Sequence, residues 1–252
     1  MPGQPGPALA IALVLLLVLA LSFSWLGGLH RQRQLSGAAL RATLQLVVVA
    51  LVIAAVLGHV AWSILFGVFM LAVATITSAR RVDAPRAWLW VGLAIAAGVL
   101  PTLAVVFASG AVPFTGASLV PVAGIIIGGG MTACSLTGRR VFAALSDEHG
   151  AYEAGLAIGL TRAEAIDEVI GRHLPEALVP GLDQTRTVGL VTLPGAFVGV
   201  LLGGGTPVQA AAAQLLVLIG LLTTQTITVV VAARLVRSGR LLPTELAARL
   251  PE

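Results

Sequence analysis

Lysine is missing from this chain: all fifteen basic residues are arginine. Without it there can be no G-x-x-x-x-G-K-[ST] phosphate loop, so the chain does not bind a nucleotide in the P-loop manner. Cysteine is nearly missing as well. The single Cys134 excludes a disulfide framework and any multi-cysteine zinc site, and its plain reading is a small buried apolar residue. Charge is scarce, at 10% of residues, where a soluble domain carries about 25%. No long apolar run has an ionisable residue near its centre; Arg41 lies at an edge and His59 in a connection. Proton- and ion-coupled carriers keep such groups at membrane depth, so their absence argues against that class. The runs hold no Ser/His/Asp or paired-carboxylate set, and His30, His59, His149 and His173 are scattered. An intramembrane enzyme and a shared histidine metal site are therefore disfavoured, and no residue stands out as a metal ligand.

What is abundant is apolar sequence: 58% of residues are hydrophobic and the mean hydropathy is +1.00. Seven runs are near the length of roughly 20 residues that a helix needs to cross a bilayer: Pro7–Gly27, Leu40–Gly58, Val60–Ser78, Trp88–Ala108, Ser118–Leu136, Thr187–Gly204 and Val208–Leu235. They are continuously apolar, whereas barrel strands alternate. With the N-terminus outside, every arginine falls on the inner side. Arg31, Arg33 and Arg41 lie at the first inner loop, Arg80, Arg81 and Arg86 in the second, and Arg139, Arg140, Arg162, Arg172 and Arg186 in the third. Arg234, Arg237, Arg240 and Arg249 belong to the tail, about 236–252 with its border. The outer connections hold none, as the positive-inside rule requires. The first run has no basic residue before it and two after it, opposite to a secretory signal, so it is read as a retained helix. The high pI of 10.9 thus reflects arginines at membrane borders, and no nucleic-acid partner is implied. The fold class is an all-α integral membrane protein of about seven transmembrane helices, a single domain over 1–252, multi-pass in the plasma (cytoplasmic) membrane.

Prolines and glycines interrupt three runs: Pro101 in the fourth, Pro121, Gly124 and Gly128 in the fifth, and Pro194, Gly195 and Gly199 in the sixth. Proline removes a backbone donor, which a bilayer tolerates only beside protein or water. Close packing through Gly124-x3-Gly128 and Gly195-x3-Gly199 is one reading; a substrate path is the other. Candidates for such a path are Gly128, Met131, Thr132, Cys134, Thr192, Pro194, Gly195 and Gln225.

The remaining signal is the inner loop 137–186. Eight of the eleven acidic residues lie there: Asp147, Glu148, Glu153, Glu164, Asp167, Glu168, Glu176 and Asp183. Leu136 to Leu145 can extend the fifth helix inward. A short helix over about 151–158, a turn at Gly159 and a second helix opened by Thr161 are predicted, with Glu164 completing a capping box. Ala165, Ile166, Val169 and Ile170 give the second helix one apolar face. A short amphipathic helix from Pro243 to Leu250 is predicted in the tail, its arginines resting against anionic headgroups or the tail touching a cytoplasmic partner.

The loop resembles the coupling region of ATP-binding-cassette permeases, whose signature has the form E-A-A-x3-G followed by I-x-L-P. Glu153-Ala154-Gly155, Gly159 and Leu174-Pro175 match it. Gly155 replaces the second alanine, and the Leu-Pro pair lies further downstream than in importers. A closer resemblance is to the FetB-like family of iron-export permeases with plant aluminium-tolerance relatives. It is carried by Val120-Pro121-Val122-Ala123-Gly124, Gly128 and Met131, by Glu153-Ala154-Gly155-Leu156-Ala157-Ile158-Gly159-Leu160-Thr161, and by Thr187-Val188-Gly189-Leu190-Val191-Thr192-Leu193-Pro194-Gly195 with Gly199, Gly204, Pro207 and Gln214. Where relatives often carry a polar run and a Gly-Gln pair, this chain has Gly128-Gly129-Gly130-Met131-Thr132 and Gly199-Val200.

The resemblance implies a non-enzymatic permease subunit of an exporter of iron or another metal. It would work as two copies with a separate cytoplasmic ABC ATPase. Glu153, Ala154, Gly155, Gly159, Thr161 and Glu164 would form the ATPase-coupling segment. No cofactor is expected in this chain; ATP and Mg would sit in the partner. Pro121, Gly128 and Pro194 are the expected points of backbone compliance. The alternative is a membrane scaffold or receptor that recruits a cytoplasmic partner without moving solute.

Overall fold

The computed structural model describes residues 6–250. The N-terminal residues 1–5, whose side of the membrane the topology assigns, and the last two tail residues lie outside them. Six described helices are long and apolar enough to cross a bilayer. They are α1 (Pro7–Leu26), α2 (Gln32–Leu57), α3 (Val60–Arg81), α4 (Trp88–Ala108), α5 (Gly116–Asp147) and α10 (Pro207–Arg237). Between α5 and α10 run four shorter helices: α6 (His149–Ala157), α7 (Arg162–Ile170), α8 (Val179–Thr187) and α9 (Gly195–Leu202), with a 3-10 turn at Leu174–Leu178 before α8. The tail forms α11 (Thr244–Arg249).

The chain divides into two compact units, 1–56 and 57–252. The first holds α1 and nearly all of α2. Its leucines and valines are largely exposed, as befits surfaces that face lipid.

The second unit is built on α3, α4, α5 and α10, which pack side by side. Lipid tails are as apolar as leucine, so these helices associate through close approach and interhelical hydrogen bonds. Gly98 of α4 lies directly against the Thr224 carbonyl and Thr228 hydroxyl of α10. Beside it the Thr224 hydroxyl donates to Thr102 at 2.9 Å. Ser78 and Ser135 join α3 to α5 at 3.0 Å. Around these contacts Val91, Ala94, Ile95, Ala123, Ile126, Cys134 and Ala232 form a buried core.

Sequence and structure diverge at the sixth apolar run, Thr187–Gly204. It is not one helix. The backbone leaves α8 at Val188, passes through Gly189 at φ +80° and closes a small turn, with Gly189 N–H donating to the Thr192 carbonyl at 2.9 Å. It re-enters helix after Pro194, the N-cap of α9. At about 1.5 Å per residue, the eight residues of α9 are far too short to cross alone. The cause is local: Gly189 adopts a left-handed backbone that other residues avoid, and Pro194 has no N–H to continue a helix.

Candidate functional site

Two regions collect the residues singled out by the sequence. The first is at the arginine-rich end. There α5 runs on past the apolar core to Asp147, and α6 follows at once. Gly159, at φ +94°, turns the chain between α6 and α7. Thr161 caps α7 as predicted: its hydroxyl accepts from the Glu164 N–H at 3.4 Å, and the Glu164 carboxylate accepts from the Thr161 N–H at 2.8 Å. Hydrogen bonds from the Thr161 side chain and backbone hold the Glu164 carboxyl below its ordinary range. Gly155 lets the two helices meet; a Cβ there would stand 3.2 Å from that of Ala165. Tyr152, Ala165, Ile166, Val169 and Ile170 are buried beneath.

The outer face of this helix pair is open. Glu153, Ala154, Ala157, Thr161 and Glu164 are exposed, and Ile158 at the turn is 81% exposed. Glu153 pairs with His149 at 3.5 Å, one helical turn away. An exposed isoleucine flanked by alanines and carboxylates is a shape a partner can grip, since small neighbours leave a bulky apolar side chain free to enter a pocket.

Ion pairs and hydrogen bonds anchor the pair from below. Glu148 meets Arg172 and, at 3.0 Å, His173. His173 also reaches Glu176 at 3.3 Å, and Arg140 of α5 reaches Glu176 at 3.2 Å. Arg237, at the end of α10, bonds Asp167 of α7 at 2.7 Å.

The tail has a buried side that the sequence reading did not anticipate. Its helix forms close to where it was predicted. Yet Leu241, Leu242, Leu246 and Leu250 are buried in one core with Phe142, Leu145, Tyr152 and Ile166, and the Arg249 carbonyl bonds His149 at 3.0 Å. Arg240 lies 4.9 Å from the Trp90 ring. The leucines draw the tail onto the helices before it, while Arg240 itself stays exposed.

The second region is the broken crossing. Gly181 of α8 sits against the Gln225 amide of α10. Phe197 N–H of α9 donates to Gln214 Oε1 at 3.2 Å. As residue numbers rise from 181 to 197 along the crossing, they fall from 225 to 214 along α10, so the two run antiparallel, with the turn Val188–Pro194 between the pinned halves. Leu190 and Val191 in that turn are 89% and 79% exposed. Nearby, a cavity of about 470 Å³ lies between α5, α9 and α10, lined by Pro121, Val122, Ile126, Ala196, Gly199 and Val217 among others.

The path candidates are not brought together into one lining. Thr132 is exposed and its hydroxyl donates to the Gly128 carbonyl at 3.0 Å. Met131 is half-buried and Cys134 is fully buried in the helix core. Thr192 and Gly195 are exposed at the turn, and Pro194 caps α9. Gln225 is buried, and its Oε1 has no hydrogen-bond partner among the described residues. Among the described residues nothing lies within 4 Å of where a Cβ on Gly128, Gly195 or Gly199 would be, so no contact within this chain calls for glycine there. Among the described residues no group of three histidine, cysteine or acidic side chains is placed to hold a metal ion. Sequence reasoning missed the Gly181–Gln225 and Asp167–Arg237 contacts, which join residues far apart in the chain and leave no local pattern.

Comparison with known proteins places these features in a family. The model of the uncharacterised protein family UPF0014 matches residues 7–239. The UPF0014 membrane protein STAR2 of Oryza sativa subsp. japonica is 33% identical over 201 residues, covering 79% of this chain and 70% of that protein. The protein ALUMINUM SENSITIVE 3 of Arabidopsis thaliana is 34% identical over 171 residues, covering 66% of this chain and 63% of its own. The probable iron export permease protein FetB of Escherichia coli is 34% identical over 143 residues, covering 57% and 55%. No solved structure matches the chain.

Proposed function

The chain belongs to the UPF0014 family and is a multi-pass membrane protein, and from that premise we propose that it is the membrane-spanning subunit of an ABC exporter driven by a separate cytoplasmic ATPase. The observation that carries this reading is the α6–Gly159–α7 pair. It is firmly built below, open above, and continuous with α5. A partner gripping Glu153, Ala154, Ile158 and the capped start of α7 at Thr161 and Glu164 would hold a lever attached to the transmembrane core.

ATP and Mg would be bound by the partner, and two copies of each subunit would assemble. In that assembly the exposed turn Val188–Pro194 and the open glycines Gly128, Gly195 and Gly199 would face the second copy or a water-filled path. Irregular backbone at membrane depth is tolerated only in such places. Iron or another metal is the proposed cargo, a reading supported by resemblance to a protein named as a probable iron export permease.

The test is ATP turnover by this protein reconstituted with its ATPase and titrated with ferrous iron and other divalent metals. Stimulation selective for iron, lost in Glu153→Ala, supports the whole reading. A stable complex whose turnover ignores every metal keeps the ABC assignment and discards metal export. Failure to form any complex overturns the assignment in favour of a scaffold.

A further inference from the structure

The docking helices are joined through the chain to α5 on one side and to α8 on the other. They have no covalent neighbour in α10, yet α10 is the element that pins both halves of the broken crossing. Gln225 lies against Gly181 and Gln214 accepts from Phe197. Any movement that is to open or close the turn Val188–Pro194 must shift α10 relative to α8 and α9, or shift them relative to it.

We propose that the Asp167–Arg237 ion pair is the positioning link that carries movement of the docking helices into α10, and through α10 into the broken crossing. This rests on the reading that an ATPase docks on α6 and α7. Three observations support it. Arg237 Nε donates to Asp167 Oδ1 at 2.7 Å across a separation of 70 residues. The pair closes over a continuous apolar contact, since Leu235 and Val236 at the end of α10 are buried in one cluster with Ala165, Ile166 and Ile170 of α7. Arg162, the first residue of α7, lies against Gly239 just beyond α10; a Cβ at Gly239 would stand 3.4 Å from its guanidinium.

Both partners of the ion pair are partly exposed, with 32% and 49% of their side chains accessible. A pair in that setting adds little to stability. What it supplies is direction. The apolar contact lets α10 and α7 slide or rotate against each other, and one bonded pair fixes which turn of α10 follows Asp167. The far end of α10 then moves Gln225 and Gln214 together. Val188–Pro194 is the segment with the least to resist the change, for it has no helical ladder and its Leu190 and Val191 touch little. Linkage of this kind requires an element with two arrangements that both ends bias, a role this proposal gives to the broken crossing.

The experiment replaces the only cysteine with Cys134→Ala and places a reporter with Thr192→Cys. The protein is reconstituted with its ATPase in lipid vesicles, and labelling by a membrane-impermeant maleimide is timed with and without ATP. With the native pair, ATP is expected to change the labelling rate by about fivefold or more. Asp167→Asn and Arg237→Gln are each expected to keep the ATPase bound and basal turnover within about twofold, because a partly exposed pair adds little to stability and neither residue belongs to the proposed grip at Glu153, Ala154, Ile158, Thr161 and Glu164, while the ATP-dependent change is lost. The exchanged pair Asp167→Arg with Arg237→Asp, and the conservative Asp167→Glu, are expected to restore it. Single variants that keep the full ATP response overturn the link while the docking reading stands. A native pair that binds no ATPase overturns the docking reading, and the link with it.

Discussion

Gly155 and Ala165 bring α6 and α7 into direct contact, and a Cβ on Gly155 would stand 3.2 Å from the Cβ of Ala165. That separation leaves room for a methyl group after a small adjustment and for nothing larger. Gly155→Ala is expected to be nearly neutral, since alanine gains about 0.5–1 kcal/mol over glycine in a helix and the tight contact offsets it. Gly155→Leu is expected to cost about 1–3 kcal/mol by overpacking and, on the proposed function, to weaken ATPase association by parting α6 and α7. Thermal unfolding in detergent and co-purification of the ATPase check both.

The capping box gives the start of α7 a pH dependence. Hydrogen bonds from Thr161 lower the Glu164 carboxyl in the folded protein. A group whose folded pKa is depressed contributes stability that is present above its unfolded value and is lost as pH falls through the folded one. The start of α7 is therefore expected to loosen only on acidification below the ordinary glutamate range. Thr161→Ala removes the hydroxyl, so the Glu164 midpoint should rise toward the ordinary value; N-cap replacements of this kind cost about 1 kcal/mol. A carboxyl-carbon NMR titration of Glu164 in both proteins reads the shift, and an unchanged midpoint in Thr161→Ala would contradict the assignment.

Much of this region is legible in the sequence because its signals are local. Thr161 and Glu164 are three residues apart, Gly159 marks the turn before them, and α4 occupies the stretch Trp88–Ala108 that hydropathy picks out. The broken crossing is not legible in the same way. Glycine and proline also occur inside continuous transmembrane helices, so Gly189 and Pro194 do not by themselves announce a break in an apolar run. The burial of the tail leucines is hidden for a related reason: leucines spaced for a membrane surface suit a protein surface equally well. The Asp167–Arg237 and Gly181–Gln225 contacts depend on which helix faces which, information that no window of sequence contains.

At Gly98 in the four-helix core even a methyl group has no room. A Cβ on Gly98 would lie 2.5 Å from the Thr224 carbonyl oxygen and 2.5 Å from the Thr228 hydroxyl. The carbonyl belongs to the backbone of α10 and cannot rotate away. Gly98→Ala is expected to push α4 from α10, stretch the Thr102–Thr224 hydrogen bond and cost about 1–3 kcal/mol. A lowered midpoint of thermal unfolding is the measurement. Gly128→Ala is the contrast, because nothing lies within 4 Å of its Cβ position, and it should raise the midpoint of the single chain slightly, since alanine gains about 0.5–1 kcal/mol over glycine in a helix.

Gly181 and Gln225 allow the roles of packing and polarity at the broken crossing to be separated. A methyl group at 181 would collide with the Gln225 amide oxygen, which is buried and has no hydrogen-bond partner among the described residues. Gly181→Ala should therefore displace α8 or the amide at a cost of about 1–3 kcal/mol. Shortening the side chain with Gln225→Ala in the same protein removes the obstacle, and the double variant should recover stability relative to the sum of the two single changes. Gln225→Met is the complementary change. It keeps the length and deletes an unsatisfied buried acceptor, whose burden is about 1–3 kcal/mol, so the protein should be as stable as before or more so. If Gln225 touches the transported solute, that same variant should lose transport while gaining stability. If it retains transport, Gln225 serves only to seat α8.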